Sequence, residues 1–407
     1  VHPAGSADVP DAADVVVVGA GTVGAWCAHF LRGGGAGRVV VIDKRTAGQG
    51  ASARAAGIVR GQGGTPTAVR LAQWTQAFYR SQREQLGIDS GFVQQGYFLP
   101  CFTEAEVDAA RERMTMQHSL GLDVRWLHPD EAAEVNPTMA RGVHLGGTYA
   151  DADGWLTPTR NVQAYLVAMA VDGVQLCEGV EFTGLEEDAQ GRVTAVRTDA
   201  GTISTRRVVL TGGPELAEVG AVAGVRIPTG GARHQVAVTE KHPDLDPARV
   251  PMVFDLPSGL YWRPEEQGLM FGMSNPAEVP GPARSIDHAY LAKIKDRLAE
   301  LVPVTRDLGL RRVWAATIDY TPDHLPILGS ALRADGAAVG GVTVASAAGH
   351  GMMWGPGVSR AAADLALTGG TDVVDATILG LDRFDEHGRS RLATDPIALP
   401  FPEVLAR

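Results

Sequence analysis

Four consecutive valines, Val15 to Val18, run into the glycine pattern Gly19-Ala20-Gly21-Thr22-Val23-Gly24. No other stretch restricts the possible folds as strongly. A short continuous apolar run suits a strand buried on both faces. Gly19 permits a tight turn, Gly21 lets the backbone approach a pyrophosphate, and Gly24 lets a helix pack on the strand. That helix is expected from about Thr22 to Leu31, its free N–H groups turned to phosphate. A second buried strand, Val39 to Ile42, ends at Asp43 and Lys44. The Asp43 carboxylate is placed to accept hydrogen bonds from a ribose and to repel a 2′-phosphate. Ala20, Thr22, Val23 and Lys44 belong to the same candidate dinucleotide site. The pattern alone does not choose between FAD and NAD.

The rest of the chain narrows the class. Its 407 residues are 45% hydrophobic and 20% charged, ordinary for a globular protein of two or three structural units. A formal charge of −11 speaks against a nucleic-acid partner, which would call for a basic patch. No apolar run reaches the roughly 20 residues a bilayer needs, so no membrane partner is expected. Residues 1–13 carry no signal-peptide pattern and read as a disordered tail. Cys27, Cys101 and Cys177 are widely spaced and odd in number, which suggests reduced thiols in a cytoplasmic protein. No HExxH, CxxC or His-carboxylate cluster suggests a metal.

Helical spacing marks 66–86, 103–120 and 284–301, with Thr103 and Glu106 placed as a capping box. Phe92 to Phe98 is strand-like, several short strands fall in 174–210, and GLYWRPEEQGLMFGMS reads as a hairpin. Near the end, Val342 to Ala345 is a strand, followed by a glycine-rich turn and a helix beginning around Gly355–Pro356. Asp151, Asp153, Asp319 and Asp323 look like turn residues.

Four further segments follow the glycine fingerprint in order: QGASARAAGIVRG, YADADGWLTPTR, WAATIDYTPDHLPILG and ASAAGHGMMWGPG. Together the five resemble the D-amino-acid oxidase superfamily of FAD-dependent oxidoreductases. The nearer branch holds sarcosine oxidase, dimethylglycine and sarcosine dehydrogenases, and glycine oxidase. The resemblance runs from about Asp14 to about Gly370. It implies an extended FAD, with Gly50, Ala51, Ser52, Arg54, Ala55, Ala56, Gly57 and Ile58 along the flavin. It implies Val180 at the adenine, and Thr211, Gly212 and Gly213 under the pyrophosphate. It also puts Gly349, His350, Gly351, Met352 and Met353 beside the flavin pyrimidine ring. Hydride arriving at the flavin leaves negative charge there, which a helix N-terminus is suited to stabilise; His350 either adds a hydrogen bond or only orders the turn.

Departures from the family carry information of their own. Ala316 and Arg54 stand where relatives have a cysteine or histidine tether, so the FAD is expected to be non-covalent. Met270 aligns with a lysine that promotes reaction with oxygen, and Met353 with a lysine that helps clamp the substrate carboxylate. Slow reoxidation by air is the consequence expected of Met270. Arg60 matches the carboxylate-binding arginine, and arginine suits a bidentate grip on such a group. It could instead contact phosphate or another carboxylate. Alternation sends Tyr261 and Arg263 to one face of their strand, toward a substrate or into sheet packing. Met270, Met273, Met352 and Met353 either line an apolar cavity or fill the core.

The expected fold is α/β, α+β overall: a Rossmann-like FAD-binding domain interleaved with an antiparallel-sheet substrate domain. The first is assigned 14–80, 145–215 and 316–385, the second 81–144 and 216–315, with 386–407 a C-terminal extension. The expected reaction takes a hydride from a C–N bond of a small amine or amino acid, giving an imine that water hydrolyses. Electrons then pass to oxygen or another acceptor. Two alternatives remain open: oxidation of a 2-hydroxy acid by the same cofactor, and a non-catalytic subunit with this fold. No long folate-binding extension follows in this sequence, so no folate domain is expected.

Overall fold

A computed structural model describes residues 9–282 and 285–398. Its centre is a six-stranded sheet in the order Ile327–Leu332, Ala338–Ser346, Val208–Leu210, Val15–Val18, Val39–Asp43, Gln175–Glu178. Every neighbour pair is parallel except the first. The valine run explains why this sheet lies inside. Val15 and Val17 face a layer of helices that includes Trp26, Leu31, Tyr165 and Ala361. Val16 and Val18 face the opposite side, packed with Val193, Val196 and Ile203 of a small antiparallel sheet. A strand covered on both faces needs an apolar residue at every position rather than every second one.

The second layer system is an eight-stranded sheet, antiparallel apart from the pair Met252–Asp255 and Tyr97–Pro100. Here the sequence alternates. Trp262 and Phe271 pack with the helix His288–Leu301, while Tyr261 and Met270 point to the other face with Tyr97 and Phe254. The chain passes repeatedly between the two sheets, so the architecture is the expected α/β one with an interleaved antiparallel sheet. Two strands depart from the assigned divisions: Gly147–Ala150, assigned with the first domain, lies in the eight-stranded sheet, and Leu310–Tyr320 runs unbroken through residue 316. Ladder pairing decides this, because a strand follows the partner that satisfies its N–H and C=O groups.

Other expectations shift locally. The strand-like run Phe92 to Phe98 is two strands, Val93–Gln94 and Tyr97–Pro100, broken at Gly96 where φ is +82°. In the helix Glu104–Ser119, Thr103 accepts from the Glu106 N–H, but the Glu106 carboxylate reaches the N–H of Phe102 rather than that of Thr103. The helix expected over 284–301 starts at His288 behind an Asp287 cap, and residue 284 lies outside the described residues. The tail expected over 1–13 is anchored in its described part: the N–H of Ala13 donates to Ser204 O, and the N–H of Ser204 to Asp11 O, both at 2.9 Å. Residues 1–8 lie outside the description. Among the described residues no helix is long and apolar enough to cross a membrane.

Asp323 is far more than a turn residue. It is 1% exposed and faces Arg383, 2% exposed, through Nε at 2.8 Å and Nη2 at 3.1 Å. Ser390 Oγ donates to the same carboxylate at 2.5 Å. Burial by itself would raise this carboxyl, but the bonds from Arg383 and Ser390 hold it below its ordinary range. Removing one partner of such a pair strands the other charge in the interior. Asp323→Ala is expected to cost about 3–5 kcal/mol, read from the denaturant midpoint. The wild-type contribution should be complete above the ordinary carboxylate pKa and fade as pH falls through the depressed one.

Candidate active site

The site grows from the C-terminal ends of the parallel strands. Gly19, with φ +102°, closes the first strand, and a Cβ on Gly24 would collide with the Gly19 carbonyl. Only glycine at both positions lets the helix Thr22–Gly33 begin so close to the strand. Gly21 differs: a Cβ there would meet nothing nearer than Ser52 Oγ at 3.3 Å, so its face is open. No side chain caps this helix and no acidic residue sits in its first turn. Thr22 N–H donates to Ser52 Oγ at 3.0 Å. Asp43 Oδ2 accepts from Ala20 N–H and Oδ1 from Arg45 N–H, both at 2.8 Å. The carboxylate expected to meet a ribose thus also fixes the fingerprint turn, and each oxygen keeps a second lone pair.

One long cavity runs from this turn to the underside of the eight-stranded sheet. Along it lie Gly19, Gly21, Thr22, Val23, Gly24, Asp43, Lys44, Val180 and Thr211–Gly213. Next come Gly50, Ala51, Ser52, Ala55–Ile58 and Gly349–Met353, and at the far end Arg60 and Tyr261. The turn before the helix Gly355–Thr368 is held from outside: Tyr79 hydroxyl donates to Met352 O at 2.9 Å, and Gly357 N–H to Thr75 Oγ1 at 3.2 Å.

Five candidate residues do not line the cavity. Ala20 is wholly buried, its N–H turned to Asp43. Arg54 folds back on its own turn, donating to Gln49 O and to Gly50 O (3.0 Å), and lines a neighbouring groove with Ala316. Arg263 shares the face of Tyr261, but its guanidinium bonds Ala56 O at 2.9 Å and pairs with Glu265 at 2.8 Å. That side chain positions backbone and has its charge neutralised locally. Met270, its register partner, packs in the core beneath. Met273 lies on the opposite face of the same sheet.

Arg60 is 3% exposed, and among the described residues it forms no ion pair. Its Nη2 donates to Ile397 O at 2.9 Å, its Nε has no partner, and its guanidinium lies 5.5 Å over the Phe254 ring and 5.9 Å over that of Tyr97. Buried Asp153, in the DADG stretch, shapes the loop behind it, accepting from Gly61 N–H and from Gln76 Nε2 at 2.7 Å each. Burial pushes that carboxyl up despite these bonds.

Sequence reading missed His234. It lies in the strand Gly230–Thr239 opposite Ser274 and lines the cavity. Its Nε2 meets Tyr261 Oη at 2.6 Å and its Nδ1 meets Ser274 Oγ at 2.9 Å. Burial lowers its pKa to about 4 and raises the Tyr261 phenol, so imidazole and phenol are both neutral near pH 7. His350 is lowered to about 3, first by burial and then by Arg60, with Nδ1 bonded to Ala348 O at 2.8 Å. Asp319 also lines the cavity, taking a 2.7 Å bond from Ser346 Oγ, and burial raises its carboxyl. Strand pairing places His234 beside Tyr261, and no motif spacing announces it.

Comparison with known proteins bears on the family and the fold. A family model described as "FAD dependent oxidoreductase" matches residues 14–365. The chain is 26% identical to 4-methylaminobutanoate oxidase (formaldehyde-forming) of Paenarthrobacter nicotinovorans, over 94% of this chain and 47% of that protein. It is 28% identical to glycine oxidase of Geobacillus kaustophilus, over 78% of this chain and 84% of that protein. The crystal structure of L-proline dehydrogenase from P. horikoshii superposes with a TM-score of 0.86 at 25% identity, covering 94% of this chain and all of that one. The chain spans about half the length, or less, of the longer curated relatives it matches.

The neutral histidine has a thermodynamic signature. An unfolded chain protonates His234 near pH 6.5 and the folded one only near 4. Between these values the unfolded state binds more protons, so stability is full above about 6.5 and falls toward pH 4. His234→Gln should remove up to about 1.4 kcal/mol per pH unit of that slope, measured by denaturation across the window.

Proposed function

The chain belongs to the FAD dependent oxidoreductase family, and from that premise we propose that it oxidises the C–N bond of a small amino acid or N-alkyl amino acid. The observation that carries the choice of substrate is Arg60: a buried guanidinium on the cavity wall with an unpartnered Nε and no ion pair among the described residues, the buried Asp395 carboxyl acting on it only from farther away. A buried charge of this kind is costly unless something pairs with it, and a substrate carboxylate is the natural counter-ion.

The residues present fit the cofactor. The open face of Gly21, the uncapped helix start and the Asp43 carboxylate suit a pyrophosphate and ribose. Farther along, Gly50–Ser52 and Gly349–Met353 would flank the flavin. FAD supplies the two-electron acceptor when bound. The protein's own groups do the positioning. Arg60 holds the carboxylate. The Tyr261 hydroxyl, kept neutral and backed by His234, presents a hydrogen-bonding oxygen to the amine. His234 is too weak a base near pH 7 to hold a proton for long, so the amine enters neutral. Tyr97, Phe254 and Met353 exclude water from the same end.

We also infer that FAD is held without a covalent bond. Cys27, Cys101 and Cys177 do not line the cavity, and Ala316 offers no nucleophile. Acid precipitation of the purified yellow protein should leave the flavin in the supernatant, and flavin in the pellet would count against it. Arg60→Ala should retain FAD and raise KM for an amino-acid substrate by about 2–5 kcal/mol in binding, with Arg60→Lys recovering only part. Substrate-dependent release of ammonia, a primary amine or formaldehyde identifies C–N oxidation. A 2-keto acid formed from a hydroxy acid alone would replace that reading.

A further inference from the structure

The sequence marks residues 386–407 only as an extension, yet Ile397 of that segment returns to the cavity. Ile397 is wholly buried, packs with Tyr97, Phe254, Tyr261 and Met270, and lines the same space as Arg60. The segment is fastened on several sides. Asp395 N–H donates to Asp323 O at 3.1 Å, next to the buried pair with Arg383. Asp395 Oδ1 accepts from Ile397 N–H at 2.9 Å, and Ala398 N–H donates to Asp395 O at 3.1 Å. Gly64 lies beneath: a Cβ there would run into Asp395 Oδ1 and the Pro396 ring, so glycine lets the segment settle onto the loop that carries Arg60. At its tip the Ile397 carbonyl takes the 2.9 Å bond from Arg60 Nη2.

This places a β-branched side chain, stiff at χ1, beside the cation read above as the carboxylate anchor. A close-packed wall of this type adjusts little to extra volume. We propose that Ile397 is a specificity-determining residue: its side chain limits the carbon chain that a carboxylate held on Arg60 can carry. Its carbonyl meanwhile holds the guanidinium in place through Nη2. The inference rests on reading Arg60 as that anchor.

The test uses FAD-loaded protein and a straight-chain series from acetate to hexanoate as dead-end ligands. Dissociation constants are read from the change each causes in the visible flavin spectrum. Wild type, Ile397→Val, Ile397→Ala and Arg60→Ala are compared. The affinity ratio of hexanoate to acetate should rise about tenfold or more in Ile397→Ala, with Ile397→Val between. An unchanged ratio, or equal weakening of all the acids, would overturn the proposal and leave the segment a support for Arg60 alone. Should Ile397→Ala lose its flavin, the sign of the shift in Ile397→Val decides. The anchor reading fails separately, if Arg60→Ala binds the acids as tightly as wild type. A changed length ratio in the Ile397 variants would then still support the wall.

Discussion

The contact of closest consequence is the one between Gly24 and the Gly19 carbonyl, where no side chain fits. Because the two backbones meet there, the helix Thr22–Gly33 starts directly at the end of the central strand, and its first amides face the cavity. The neighbouring strands then bring their own ends to the same edge. Thr211 caps the adjacent strand, with Oγ1 donating to Val18 O at 2.7 Å, and Asp43 reaches back to Ala20. A larger residue at either glycine would lift the helix and open all of these bonds together.

The opposite end of the cavity follows a different rule. Buried charges near it are mostly neutralised within the protein: Arg263 by Glu265, Arg383 by Asp323. Arg60 has no such partner among the described residues and is steadied by two aromatic faces and one carbonyl. Around it burial keeps His234, His350 and Tyr261 uncharged. The result is a buried positive group whose cavity neighbours are neutral, with the buried Asp395 carboxyl and Arg113 acting on it from behind the wall. Such a site favours an anion strongly and a second cation hardly at all.

Between the two ends, support comes from parts of the chain that do not line the cavity. The helix Pro66–Leu86 holds the Gly349–Met353 turn through Tyr79 and Thr75 and meets Asp153 through Gln76. The C-terminal residues join the substrate end through Asp323 and Arg60. Positioning is therefore shared by segments hundreds of residues apart. A change at Asp153 or Asp323 would reach the site without touching a ligand.

Local pattern was enough to read the nucleotide half from the sequence. The valine run, the glycine spacing and Asp43 lie within one βαβ unit, where short-range geometry fixes which atoms meet. The helix Pro66–Leu86 and the hairpin around Tyr261 were legible for the same reason, since periodicity and turn residues are local properties. The substrate end was not. Alternation put Tyr261 and Arg263 on one face, but not how far each lies from the cavity. His234 becomes a partner of Tyr261 only through strand register, and Asp153 and Asp323 become buried anchors only once distant segments close over them. Ile397 reaches Arg60 across 337 positions of sequence. The sequence by itself determined the strand, turn and helix that can cradle a dinucleotide. Tertiary structure alone decided which charges stay unpaired, because pairing depends on distances between segments that no local spacing encodes.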